Sequence, residues 1–204
     1  MRPNRIALGF VSSLAVLLLA AFLGMPHAAW GDWNNSGGDR DRGRDDDDAQ
    51  LMNDSRVQKG FDIAPVRLNL DGRKRSLVGL GSYIVNGVGG CNDCHTCPPY
   101  QPSDDPYHGG SGHPNALNYL AGGHAFGPFV TSANLTPKNG LPAGLTEQQF
   151  MHVIRTGEDP DHPGQVLQVM PWPVYRNLTD RDLRAVYAYL SSIPPASPGI
   201  CTGP

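Results

Sequence analysis

Apolar residues are scarce in this chain: hydrophobic side chains make up only 39% of its 204 residues. Glycine and proline are abundant instead, with 25 and 19 copies. Since so few apolar side chains fill only a small core, and so much glycine and proline favours loops, the composition argues against a large α/β enzyme. We expect a small core with long ordered loops.

Positive charge is also scarce, and the formal net charge is −3. No basic cluster marks a nucleic-acid partner. Negative charge is concentrated in residues 31–50, which hold seven aspartates and three arginines and almost no apolar side chain. This composition predicts a disordered, solvated linker, which we place at 32–55. A calcium site in Asp45 to Asp48 is disfavoured, because four adjacent carboxylates lack the spaced geometry of a calcium loop.

The N-terminus resembles an export signal. Arg2 and Arg5 precede an apolar run over 6–23, and Ala29-Trp30-Gly31 offers a small-x-small cleavage site, so we interpret 1–31 as a signal peptide. An uncleaved membrane anchor is the alternative, because the run is just long enough to span a bilayer. In both cases the arginines stay inside. We therefore expect a periplasmic or other extracytoplasmic location, with membrane association only if the segment is retained.

Residues 56–204 are expected to form one domain with three helices and no strand pattern. The helices are predicted over 74–85, 147–155 and 180–192, from apolar residues at helical spacing and from capping sequences at the starts of the last two. Gly81 lies on the apolar face of the first helix, which suggests that another helix crosses closely there. The long glycine- and proline-rich loop between the first two helices is expected to be functional.

Cys91-Asn92-Asp93-Cys94-His95 is a C-x-x-C-H motif, which is typical of covalent haem attachment. Two thiols at this spacing can add to the two haem vinyl groups, and the following imidazole can reach the iron. A thioredoxin-like redox pair would need a βαβ pattern, which is absent. A zinc site using Cys97 as well would crowd all its ligands into seven residues. A Cys91–Cys94 disulfide would close a strained loop, so we favour haem.

Met170 is the candidate for the second axial ligand of the iron. Pro171 restricts it to an extended conformation, so the segment can hold a thioether against a haem face. Met52 lies at the edge of the linker, and Met151 lies beside the apolar stripe of the second helix, where core packing is the simpler role. Histidine rivals, mostly in glycine-rich loops, are His108, His113, His124, His152 and His162.

Several stretches in fixed order resemble the class I cytochromes c. More narrowly, they resemble the haem domains in the cytochrome subunits of bacterial membrane-bound alcohol and gluconate dehydrogenases. The resemblance covers about 77–195. The resemblance rests on these segments, in order: GSYIV before the C-x-x-C-H motif, then SANLTP, LTEQQF, IRTG, Met170-Pro171 and LTDRDLRAVYAYLSSIPP.

The resemblance implies an all-α class I cytochrome c fold, with helices packed around one covalently bound haem c and a long glycine- and proline-rich loop insertion. It makes His95 the proximal ligand and Met170 the distal ligand. It also implies that Asn134 and Arg155 lie near the haem edge or its propionates.

The same resemblance implies that Gly81 and Tyr83 cross the last helix near Tyr187. Two features depart from the family. Its subunits carry three such domains in tandem, whereas this chain has one, and the segment 97–123 is specific to this chain.

The resemblance also bears on the two remaining cysteines, Cys97 and Cys201. Class I topology returns the last helix to the first, close to the haem motif, and Cys201 follows that helix. A leftover pair in an exported protein is more often a disulfide than two free thiols, so we predict a Cys97–Cys201 bridge. Two unrelated thiols are the alternative.

These features predict a mono-haem electron carrier rather than an enzyme. Its partners would be redox proteins, with a dehydrogenase as donor and an oxidase or reductase as acceptor. His/Met ligation raises the potential relative to bis-His ligation. One alternative is a gas-binding or peroxidatic haem protein with an open distal site, which requires that Met170 does not ligate. Another is an electron-transfer subunit of a dehydrogenase complex, which associates through residues 96–145.

Overall fold

The structure, a computed structural model, describes residues 51–199 and 201. The predicted signal peptide and most of the predicted acidic linker lie outside these residues. The helices are α1 (Ser55–Asp62), α2 (Arg75–Ser82), α3 (Cys91–His95), α4 (Glu147–Thr156), α5 (Trp172–Tyr175) and α6 (Asp180–Ser192). A π-helical segment, Tyr83–Val88, follows α2, and short 3₁₀ turns occur at Pro106–His108 and Ala116–Asn118.

Strand structure in the described residues consists of two small antiparallel hairpins. One pairs β1 (Ala125–Phe126) with β2 (Val130–Thr131), and the other pairs β3 (Pro137–Lys138) with β4 (Leu141–Pro142). Helices therefore supply the core, and the hairpins shape the loop between α3 and α4. Within 51–199, no helix has both the length and the apolar character needed to cross a membrane.

The three predicted helices are present with bounds close to those expected. The first is α2 extended by the π-helical segment, the second is α4 and the third is α6. Both predicted starts carry a capping box, in which Thr146 pairs with Gln149 and Thr179 pairs with Asp182. Such boxes satisfy backbone N–H groups that the first helical turn leaves without partners. Gly157 ends α4 with φ +74, a conformation that favours glycine.

Helix α1 begins at Ser55, the last residue of the predicted linker. Met52 already packs against the core, and Asp54 caps α1 by accepting a hydrogen bond from the backbone N–H of Arg56 at 2.9 Å. Contacts with the core therefore reach the last residues of the predicted linker, and the linker boundary itself stays a prediction. Composition alone did not predict this helix, because it presents little apolar surface: only Val57 and Gly60 are buried along it.

Helices α2 and α6 cross at close range beside Gly81. A Cβ atom added to Gly81 would lie 1.9 Å from the carbonyl oxygen of Ala185 and 2.7 Å from Cβ of Tyr189. The close crossing predicted at Gly81 is therefore present, but Ala185 and Tyr189 form it. The Tyr187 side chain turns away to α4, where its ring packs on Phe150.

The long loop after α3 is anchored in the helical core. Tyr119, Leu120 and Ala121 are all buried. The Tyr119 hydroxyl donates to Oδ1 of Asn86 in the π-helical segment and lies 2.9 Å from the Tyr189 hydroxyl. Burial raises the pKa of Tyr119 and of Tyr189, so both phenols stay neutral. The loop is thus fixed to α6 and to the π-helical segment that extends α2.

Candidate functional site

Helix α3 brings the motif residues together on a single helical turn. Cys91, Cys94 and His95 occupy positions i, i+3 and i+4, which share one face of an α-helix. Gly90 precedes the turn with φ +60, which allows the chain to enter the helix sharply. Asp93 is exposed. Two thiols and one imidazole therefore share one face of a rigid element.

The imidazole of His95 is held in one tautomer. Its Nδ1 lies 2.8 Å from the carbonyl oxygen of Ala133. Because a carbonyl only accepts, Nδ1 carries the proton and Nε2 keeps a free lone pair. Burial lowers the pKa of His95, which favours the neutral ring. A neutral imidazole with its outer N–H fixed by a carbonyl is the arrangement expected of a metal-binding histidine.

The loop that supplies Ala133 is itself fastened to the motif. Gly122 N–H donates to the His95 carbonyl oxygen at 2.7 Å, and Leu120 N–H donates to Oγ1 of Thr96 at 2.9 Å. Thr96 is fully buried. These bonds position the carbonyl of Ala133 against the His95 ring.

The two motif cysteines are unpaired in the structure. Burial raises the pKa of Cys91 to about 12 and also raises the pKa of Cys94, so both sulfurs are protonated thiols at neutral pH. Within the described residues, no group of three or more His, Cys, Asp or Glu side chains is arranged to hold a metal ion.

The segment that carries Met170 is tied to the segment that leads into the motif. Met170 is half-buried against the core, and its carbonyl accepts from the Trp172 N–H at 2.8 Å. The Trp172 indole packs so closely on Gly157 that a Cβ there would lie 2.2 Å from the ring. The Tyr175 hydroxyl donates to the Gly89 carbonyl oxygen at 2.5 Å. Gly89 lies two residues before Cys91, so this bond links the candidate distal segment to the motif.

Exposed valines cluster along these same two segments. Val88 precedes the motif and is 64% exposed, while Val166, Val169 and Val174 flank Met170 and are 46%, 41% and 67% exposed. Contiguous exposed apolar patches mark surfaces that a ligand or a partner covers, whereas valines exposed singly are ordinary. The fit to haem therefore rests on the thiol–imidazole donor set of α3.

Asn134 binds the C-terminal tail. Its Nδ2 donates to the Ala196 carbonyl oxygen at 2.9 Å, and its Oδ1 accepts from the Thr136 N–H at 2.8 Å. These bonds use both polar ends of the side chain for positioning. Its predicted place beside a haem edge or propionate stays a prediction.

Arg155 fastens the chain between Met170 and α6. Its guanidinium donates to the carbonyl oxygens of Arg176 and Leu178, the latter at 2.6 Å, and to Oδ1 of Asp180 at 2.7 Å. Arg155 therefore braces the candidate distal segment. Its predicted proximity to haem propionates also stays a prediction.

Arg155→Met is expected to lower the free energy of unfolding by about 1–3 kcal/mol, because two carbonyl groups lose a charged donor. Arg184→Met is the matched control. Its bond to Glu147 spans 3.5 Å between side chains that are 52% and 48% exposed, and such surface pairs contribute little. Urea unfolding of both variants measures the difference. Equal losses in the two variants would contradict the bracing role.

Cys97 and Cys201 are paired in the structure. Their Cα atoms are 5.2 Å apart, within the range for a disulfide, although 104 positions separate them in sequence. Cys97 is fully buried. This separation allows the predicted Cys97–Cys201 bridge, which stays a prediction.

Sequence reasoning missed three contributors to the site: the Ala133 carbonyl, Trp172 and Tyr175. A backbone carbonyl has no side-chain pattern that would mark it. Trp172 and Tyr175 follow Met170 closely in the sequence. This proximity is the one sequence feature that indicates that their rings hold the Met170 segment in place.

Comparison with known proteins finds partial similarity to the fructose dehydrogenase cytochrome subunit of Gluconobacter japonicus. The two are 37% identical over 76 residues, which cover 35% of this chain and 15% of the relative. No protein-family model matches the chain. No solved structure matches it. About a third of the chain is thus similar to part of a cytochrome subunit of a dehydrogenase.

Proposed function

We propose that the chain is a mono-haem c-type cytochrome of the class I fold, which transfers single electrons between exported redox partners. One observation carries the proposal. Cys91, Cys94 and His95 share one helical turn, and the Ala133 carbonyl fixes the His95 ring so that Nε2 is free. This set supplies two thiols for covalent attachment and one neutral nitrogen for iron.

The chain's residues would hold the haem as follows. Cys91 and Cys94 would bond to it through thioethers, His95 would bind iron through Nε2, and Met170 would supply a thioether as a further iron ligand. When bound, haem provides an iron couple that gains and loses one electron, and a thioether ligand favours the reduced form. Tyr175 and Arg155 would hold the Met170 segment in place.

The proposal assigns no catalysed reaction to the chain. If His95 and Met170 both bind the iron, a substrate has no free iron site to bind. The chain would then receive electrons from a dehydrogenase and pass them to an oxidase or reductase. Export rests on the N-terminal apolar run, and the paired Cys97 and Cys201 agree with an oxidising compartment.

Membership of a dehydrogenase complex is a second candidate role. It is supported by the partial similarity to a dehydrogenase cytochrome subunit. In that role the chain would carry electrons within an assembly, with the same iron ligands. Co-purification of a dehydrogenase with the native protein distinguishes the complex from a freely diffusing carrier.

Cysteine variants test covalent attachment directly. Cys91→Ser and Cys94→Ser are each expected to lower the yield of bound haem and to leave one thioether, and the double variant should lose covalent haem entirely. Haem staining after denaturing electrophoresis and intact-mass measurement report the linkage. A full covalent complement in the double variant would rule out this site.

A further inference from the structure

The sequence holds two overlapping cysteine pairs of the same spacing. Cys91 and Cys94 form one C-x-x-C, and Cys94 and Cys97 form a second, but only the first is followed by histidine. A disulfide at this spacing closes a strained loop, but a thiol left without another partner in an oxidising compartment can still form it by exchange, so an unpaired Cys97 would compete for Cys94. A bond between them would use a thiol that haem attachment needs.

The C-terminal tail supplies a bonding partner, Cys201, for the competing thiol of Cys97. Cys97 is fully buried and is paired with Cys201 at a Cα separation of 5.2 Å. Gly199 runs so close to Cys97 that an added Cβ would lie 1.8 Å from the Cys97 carbonyl oxygen. The tail therefore packs directly on the cysteine that it caps.

The tail is held by contacts that do not involve sulfur. Asn134 Nδ2 donates to the Ala196 carbonyl oxygen at 2.9 Å, and Asn118 Nδ2 donates to the Ser197 carbonyl oxygen at 3.0 Å. These bonds reach the tail from the loop that follows the motif. They hold the tail beside the segment that carries Cys97.

The imidazole of His124 lies beside Cys201 of the tail. Nδ1 of His124 lies 3.8 Å from Sγ of Cys201. In the reduced protein this ring is placed to take the Cys201 thiol proton, which leaves the sulfur nucleophilic. The site thus contains two thiols, a proton acceptor and a docked backbone.

We propose that the C-terminal tail is a thiol guard, which pairs Cys97 with Cys201 and so keeps Cys97 from bonding to Cys94. The chemistry is ordinary thiol–disulfide exchange with a small disulfide such as oxidised glutathione. The two thiols are oxidised to one disulfide, and the oxidant is reduced to two molecules of glutathione. The consequence, that Cys91 and Cys94 stay available for haem, rests on the proposed function, whereas the guarding itself does not.

The first test uses the haem-free chain in a glutathione redox buffer. Digestion before aspartate separates Cys91 from a peptide spanning 93–103, which contains both Cys94 and Cys97. In the unaltered protein, mass spectrometry should find Cys97 joined to the peptide that carries Cys201. In Cys201→Ser, most of the 93–103 peptide should instead be two hydrogen masses lighter, because Cys94 and Cys97 are bonded.

The second test uses chains matured with haem. Cys201→Ser should lose the Cys94 thioether in most molecules, and Cys97→Ser/Cys201→Ser should recover it, because no competing thiol remains. The double variant also lacks the bridge, so it separates loss of the guard from loss of tail stability.

Two results overturn the guard. One is a haem-free Cys201→Ser chain in which Cys97 stays a free thiol through oxidation. The other is a double variant that loses the Cys94 thioether as completely as Cys201→Ser does. If the unaltered chain takes up no covalent haem, the proposed function fails, and the first test still decides the guard.

Discussion

Gly81→Ala is expected to remove more than about 3 kcal/mol from the free energy of unfolding, a large share of the ~5–15 kcal/mol typical of a domain. The added Cβ would lie 1.9 Å from the Ala185 carbonyl oxygen and 2.5 Å from its carbonyl carbon. Both are backbone atoms of α6, so no flexible side chain can move aside. The helices must separate, and the cost exceeds the ~1–3 kcal/mol usual for overpacking.

Gly87→Ala is the matched control for this substitution. Gly87 also lies in the helical run before the motif, but an added Cβ would meet its nearest neighbours, Ile63 and Tyr83, at 3.5 and 3.6 Å. These are ordinary contacts, and alanine is the better helix former by about 1 kcal/mol. This variant should therefore be neutral or slightly more stable.

Urea unfolding followed by far-ultraviolet circular dichroism measures both variants. A large fall in the midpoint for Gly81→Ala with an unchanged midpoint for Gly87→Ala supports the crossing. Similar midpoints in both would mean that α2 and α6 do not pack at Gly81. The crossing also fixes Tyr189, to which the Tyr119 loop anchor bonds, so its loss should loosen the site as well.

Helix α6 shows what the sequence predicts well. Its start is marked by Thr179 and Asp182, its apolar face recurs at helical spacing, and Pro194 follows its end, so the bounds are readable from local chemistry. Helix α1 shows the opposite case. Its packing against α2 depends on Gly60, where an added Cβ would lie 1.8 Å from the Gly79 carbonyl oxygen. Close backbone approach leaves no apolar pattern in the sequence.

The candidate site likewise has parts that the sequence predicts and parts that it does not. Cys91, Cys94 and His95 are neighbours in sequence, so one helical turn sets their geometry and the motif is enough to predict it. The parts that orient them come from distant loops: the Ala133 carbonyl and the Tyr175 hydroxyl act through hydrogen bonds to backbone or ring atoms. Such contacts depend on how the loops fold, which neither composition nor spacing encodes.

Met170→Ala is expected to open the iron of the haem-loaded protein to carbon monoxide or cyanide. It should also lower the reduction potential by on the order of 100 mV, a fraction of the ~0.8 V range that axial ligands set. The physical reason is loss of a thioether that favours the reduced iron. The weak thioether-to-iron charge-transfer band should disappear from the oxidised spectrum.

Met151→Ala is the control for loss of a methionine as such. Met151 lies on α4 and packs half-buried against the same core, so its removal should cost some stability but leave the spectrum and potential in place. Redox titration and absorbance with and without carbon monoxide separate the two variants. The Met170 effect should persist at temperatures where both variants remain folded.

Three outcomes of these measurements distinguish an electron carrier with Met170 as ligand from a carrier with another ligand and from a gas-binding or peroxidatic protein. Loss of the band in Met170→Ala alone supports His/Met ligation and an electron carrier. Loss in Met151→Ala instead moves the distal ligand to α4, away from the segment that Tyr175 ties to Gly89. Carbon monoxide binding by the unaltered protein, with no such band, would favour the gas-binding or peroxidatic alternative. In that case the Tyr175 and Arg155 contacts would brace a pocket wall rather than a ligand.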